Sequence, residues 1–226
     1  MARISRKELK RDEFIEATKD AENWLEENWR LVLQIVGVVV VVAIVVGGWF
    51  WYAKASQAKA ATLLAGAMKT YQAAETGGFV DTAALESALK EFETASGKGG
   101  RAPVGLVAEY YRGVTLHRLG RDDEAIVALE KVADHSGASA SLSGAASAVL
   151  AEVYAARGEQ ERAIAVLQGL IDAETPTYPV DQALLEMADL HEAAGDRALA
   201  KEIWQRVVDE FPAGGAAIEA RERLGT

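Results

Sequence analysis

The chain has no cysteine, four prolines and few aromatics, 7% of 226 residues. Without cysteine there is no disulfide framework, thiolate metal site or cysteine nucleophile. Few prolines and aromatics, with abundant alanine, leucine, valine and glutamate, favour helix. Cations are also scarce: 24 Lys and Arg stand against 34 Asp and Glu, a net charge of −10. An acidic chain with a pI near 4.9 is a poor ligand for a phosphate backbone, so nucleic acid is excluded as a partner.

Charge is missing from one place altogether. No charged residue lies between Leu31 and Ala53. The mean hydropathy of +0.01 therefore averages an apolar run with a polar remainder. The run Leu31–Tyr52 has Gln34 as its one strongly polar side chain. Its 22 residues reach roughly 33 Å as a helix, enough to cross a bilayer core of ~30 Å. Helix is the single-segment structure that satisfies a backbone in lipid. Trp24 and Trp29 precede the run, and Trp49, Trp51 and Tyr52 close it, where interfacial aromatics are favoured. The run is too long for a cleaved signal peptide, although Ala53-Lys54-Ala55 has the small-x-small form of a cleavage site.

Residues 1–30 carry seven Lys and Arg, and the first twenty residues after the run carry three. That bias predicts a cytoplasmic N-terminal tail, with the larger domain on the other side. Counted within about twenty residues of each boundary, the numbers are equal at three. In the tail, Phe14, Ala17, Ala21, Trp24 and Leu25 recur at helical spacing. This predicts an amphipathic helix or a solvated continuation of the span.

Beyond the run the sequence repeats. Gly113, Leu116, Gly120, Ala125, Leu129 and Val132 recur in register as Ala151, Tyr154, Gly158, Ala163, Leu167 and Leu170. They recur again as Ala188, His191, Gly195, Ala200, Trp204 and Val207, followed by Phe211-Pro212. The small residue allows close helix approach, and the glycine suits a helix end with φ > 0. The second small residue and the large apolar groups after it fill the interface on one helical face. The pattern resembles the tetratricopeptide repeat (TPR), a helix–turn–helix unit of about 34 residues. The turn glycines lie 38 and 37 residues apart, and the extra length is assigned to links at Ser136–Ser143 and Thr175–Pro179.

The expected fold is all-α. A single N-terminal transmembrane helix precedes a TPR-like α-solenoid of about four helical hairpins and a C-terminal cap helix. The tail takes 1–30, the span 31–52, a membrane-proximal degenerate hairpin 53–101, and the repeats with the cap 102–226. In the degenerate hairpin, Ala88, Phe92 and Ala95 reproduce the second-helix pattern, Thr76–Asp81 is the loop, and glycine-rich Ser96–Arg101 is a flexible link. The cap helix is Ala216–Leu224.

Nothing in the chain assembles a reaction. Histidines 117, 135 and 191 are dispersed, and His191-Glu192 lacks the second histidine of a zinc-protease motif. Gly97-Lys98-Gly99-Gly100 lacks the hydroxyl residue and strand of a phosphate loop. No enzyme activity, metal or cofactor is expected. The TPR resemblance instead implies a groove lined by first helices. Its groove-facing positions fall on Tyr110, Val114 and His117, then Ala148, Glu152 and Ala155, then Leu185, Asp189 and Glu192. Such a surface suits a protein segment with apolar groups and some Lys or Arg.

The whole plan resembles the YfgM-like family of ancillary translocon subunits. The resemblance rests on the tail segment Asp12–Lys19, the aromatic exit Gly48-Trp-Phe-Trp-Tyr52 and the late repeats. It implies an inner-membrane protein with a cytoplasmic N-terminus and a periplasmic domain. The implied partners are SecYEG translocon subunits, periplasmic chaperones and exported clients. A structural scaffold for an envelope complex, in division or outer-membrane assembly, is the alternative.

Overall fold

The structure is a computed structural model that describes the backbone of residues 6–75 and 81–225, and the side chains of 28–74 and 81–225. It contains helices α1 (Arg6–Glu75), α2 (Thr82–Gly99), α3 (Pro103–Arg118), α4 (Asp122–Ala133) and α5 (Ala140–Ala156). They are followed by α6 (Gln160–Ile171), α7 (Val180–Ala193), α8 (Arg197–Glu210) and α9 (Gly215–Leu224). Among the described residues there is no strand. The chain divides into two units at Lys54/Ala55.

The first unit holds the start of α1. Asn28 leaves helical geometry (φ −112°, ψ 15°), three residues before the apolar run. The polar side chain of asparagine competes for backbone groups and weakens a helix locally. From Leu33 to Tyr52 the side chains are exposed, Trp51 at 76% and Ile44 at 67%. Among the described residues this is the one helix long and apolar enough to cross a membrane. The expected amphipathic face at Phe14–Leu25 and the side chain of Trp24 lie outside the described residues.

The second unit is a stack of helical hairpins. The last turns of α1 pack on α2 through Ala67, Tyr71, Ala74, Leu85, Ala88 and Phe92. Helices α3/α4, α5/α6 and α7/α8 then pair in succession, and α9 closes on α8. The three repeat registers form the main core. Ala125, Leu129, Val132, Ala163, Ala200 and Val207 are fully buried, and Leu167 and Trp204 nearly so. Glycines 120, 158 and 195 adopt φ of 71°, 77° and 87° at the turns, a conformation in which a Cβ is strained.

The links differ in part from expectation. Residues 140–143 already belong to α5, whose N-cap Ser139 accepts a hydrogen bond from the Leu142 amide at 3.3 Å. The first extra insert is therefore shorter than Ser136–Ser143. The second link, 172–179, is pinned to α5, because a Cβ on Gly144 would sit 2.2 Å from the Thr177 carbonyl oxygen.

The segment Ser96–Arg101 is not a flexible link. Helix α2 continues through Gly99, and α3 begins at Pro103. A Cβ on Gly99 would lie 2.5 Å from Gly105 Cα, and one on Gly105 2.4 Å from Gly100 O. These glycines let two helix ends touch backbone to backbone. Of the expected loop Thr76–Asp81, residues 76–80 lie outside the described residues.

Candidate functional site

Helices α3 and α5 are neighbours, as are α7 and α9. Each second helix, α4, α6 and α8, packs between the helix before it and the helix after it. The nine positions expected on the first-helix face meet different fates. Ala148 and Leu185 are core residues, 4% and 3% exposed, because the first helices also pack against their neighbours there. His117 Nδ1 lies 2.7 Å from Asp122 Oδ1 and ties the α3–α4 turn together.

The last repeat is engaged by the cap helix. Arg223 of α9 reaches Glu192 Oε2 at 3.0 Å and Asp189 Oδ2 at 3.4 Å. Its guanidinium carbon stands 5.9 Å from the Trp204 ring centroid. Burial raises the Asp189 carboxyl above the ordinary aspartate range, and Arg223 pulls it back part of the way. Asp189 Oδ1 and Trp204 Nε1 are buried without a partner in hydrogen-bonding geometry. They are nonetheless close enough for the indole N–H to favour the ionised carboxylate.

Tyr110, Val114, Glu152 and Ala155 remain accessible. Tyr110 and Ala155 are half-buried against the main core, and Val114 against the α1/α2 core. Glu152 is exposed. Two residues that the repeat register did not single out join them. Tyr178, on the pinned 172–179 link, donates to Glu186 Oε1 of α7 at 2.8 Å. The Tyr178 hydroxyl is driven up by burial, by this bond and by the charges of Glu186 and Glu152. Burial also raises Tyr110, with Tyr111 and Glu152 adding to it. Glu186 is raised by burial and by Glu152 and Asp189, against the opposing bond from Tyr178. The result is two tyrosines and two glutamates within electrostatic reach of one another. Glu186 could have been marked from sequence, since it lies three residues before Asp189 on one helical face. Tyr178 had no such signal, because it sits in an insert outside the repeat register.

This is a tetratricopeptide-repeat fold. A model of the Tetratricopeptide repeat family matches residues 182–213, which span α7 and α8. The chain is similar to a solved structure of putative kinesin light chain TPR-like repeats from Podosopora anserina. They share 16% identity over 74% of this chain and 84% of that one, with a TM-score of 0.59. It is also similar to a tetratricopeptide repeat protein from Parabacteroides merdae. There the identity is 18% over 70% of this chain and 58% of that one, with a TM-score of 0.51. At such identities the likeness is one of fold. No protein of curated function matches the chain. The fold is a protein-interaction scaffold and generally a non-catalytic one. Among the described residues no group of three or more His, Asp or Glu is placed to hold a metal ion.

The expected interface aromatics lie in the first unit. Trp49, Trp51 and Tyr52 are exposed at 67%, 76% and 71%, and Trp29 at 54%. Arg30 stands 5.7 Å from the Trp29 ring centroid, a cation beside an amphipathic ring.

Proposed function

We propose that the protein is a membrane-anchored TPR adaptor, ancillary to the protein-export channel, which hands emerging proteins to periplasmic chaperones. In this reading α1 crosses the inner membrane through Leu31–Tyr52. The preceding residues face the cytoplasm, and the solenoid faces the periplasm. The observation that carries it is the pairing, in one chain, of a helix of membrane-spanning length with a repeat scaffold whose first-helix face offers aromatic and acidic groups. A tether raises the local concentration of that face at the membrane, so individually weak contacts suffice. Emerging chains expose apolar groups before they fold, which such a face can hold.

Crosslinking in intact membranes tests this reading. Photoreactive groups on α3 and α5 should capture channel subunits, chaperones and nascent clients, and the client adducts should vanish when secretion is arrested. A stoichiometric partner that persists through arrest would replace it with the scaffold reading, in which the solenoid organises an envelope complex.

A further inference from the structure

The chain seats its own arginines in a recurring way. Arg162 lies 4.0 Å from the Tyr154 ring centroid, donates to the Tyr154 hydroxyl at 2.8 Å and pairs with Glu159 at 2.6 Å. Arg223 lies over Trp204 and pairs with Asp189 and Glu192. In each case an aromatic ring and a carboxylate hold one guanidinium, a combination of cation–π and charge-assisted contacts.

The group of Tyr110, Glu152, Tyr178 and Glu186 has the same ingredients. Tyr178 bonds Glu186 at 2.8 Å, and Tyr110 and Glu152 lie within electrostatic reach of that pair, but among the described residues neither Glu152 nor Glu186 pairs with a Lys or Arg. The charges acting on Glu186 are those of Glu152 and Asp189, both of its own sign. Glu186 is half-buried and Glu152 exposed; like charges brought near a half-buried carboxylate disfavour its ionised form, and a cation placed beside it favours that form. Half-buried apolar residues share these helix faces by register: Val114 is one turn from Tyr110 on α3, and Ala155 one turn from Glu152 on α5. The link carrying Tyr178 is held firmly, because Thr177 rests on Gly144.

We propose that Tyr110, Glu152, Tyr178 and Glu186 form a seat for an arginine or lysine side chain projected by an apolar segment of a protein partner. The complementarity of charge selects the cation. The tyrosine rings take its aliphatic stem or guanidinium plane, and Val114 and Ala155 take the neighbouring apolar residue. This inference deepens the adaptor reading and rests on the same face.

The test is a titration of the full chain in uncharged nanodiscs with a short labelled peptide of alternating leucine and arginine. A peptide of alternating leucine and glutamate serves as the counterpart, and empty nanodiscs as the blank. The arginine peptide should bind and the glutamate peptide should not. The double variant Glu152→Gln/Glu186→Gln should weaken binding about tenfold or more, as expected for loss of charge-assisted contacts. Glu152→Gln alone, at an exposed position, should give an intermediate loss. The variant Glu161→Gln/Glu222→Gln makes the same change in net charge at exposed positions on α6 and α9, and it should bind as the native chain does. Equal losses in the two double variants, or none in the first, would overturn the proposal. The titration contains no channel, so failure of the export reading leaves its outcome intact. Normal crosslinking with unchanged peptide binding would sink this inference alone.

Discussion

Ser96 of α2 donates its hydroxyl to the buried carboxylate of Glu109 on α3. Arg112 at 3.0 Å and Lys131 of α4 at 3.2 Å complete the carboxylate's coordination. Three helices thus converge on one anion that is 3% exposed. Burial pushes the Glu109 carboxyl up, but the Ser96 bond and the Arg112 and Lys131 charges outweigh it, and the net shift is downward from 4.5. A depressed carboxyl stabilises the fold fully above its unfolded value, and that contribution is lost as pH falls through the folded value. Glu109→Gln should therefore cost about 2 kcal/mol at neutral pH. Denaturant titrations should show the gap to the native chain closing as pH drops below 4.5.

Glu186 should behave in the opposite sense. Its carboxyl is raised by burial and by its acidic neighbours, so the ionised form opposes folding once pH rises through the folded value. Glu186→Gln keeps an acceptor for Tyr178. It should melt no lower than the native chain at neutral pH, and any gain should disappear at acid pH. A carboxylate that costs stability and remains in the chain fits a binding group. A destabilised Glu186→Gln at neutral pH would show instead that the residue holds the fold together.

Two glycines eight positions apart, Gly97 and Gly105, offer a steric test within one segment. No atom lies within 4 Å of a Cβ on Gly97, whereas a Cβ on Gly105 would strike the backbone of Gly99 and Gly100. Gly97→Ala should raise stability by about 0.5–1 kcal/mol, through helix propensity and a less flexible unfolded chain. Gly105→Ala should lower it by about 1–3 kcal/mol or more, because the two helix ends must separate. Thermal melts of the pair distinguish a packed crossing from a hinge, where both changes would be harmless.

The cap helix makes a further prediction. Arg223→Ala strips the cation from Asp189 and Glu192 and leaves half-buried acids facing one another. The loss should be about 1 kcal/mol, given the partial exposure of the pair. Asp189→Asn should restore part of it in a double-mutant cycle. Full additivity in the cycle would mean that the two side chains do not act on each other.

Much of the solenoid was legible in its sequence because the repeat encodes it redundantly. Gly120, Gly158 and Gly195 mark the turns, and the alanines five residues after each mark the helix crossings. The repeat with Trp204 and Phe211-Pro212 is the one that the family model matches. The earlier repeats have longer links and lack a closing proline. The Gly97–Gly100 stretch misled because a glycine that permits close approach reads in sequence like one that confers flexibility. Ala148 and Leu185 lay on the expected face by register, but neighbouring helices cover them. Arg223 lies 31 residues beyond Glu192 and carries no periodic signal. Tyr178 entered the face from an insert that repeat arithmetic treats as spacer.

The central claim is that an acidic TPR solenoid works on the outer side of the membrane that its own helix crosses. The absence of cysteine makes a direct measurement clean: Glu161→Cys, on the exposed surface of α6, treated with a membrane-impermeant maleimide. With the outer membrane permeabilised and the inner membrane intact, the account expects full labelling. Labelling that appears only after the inner membrane is broken would place the solenoid in the cytoplasm and contradict the export-adaptor reading.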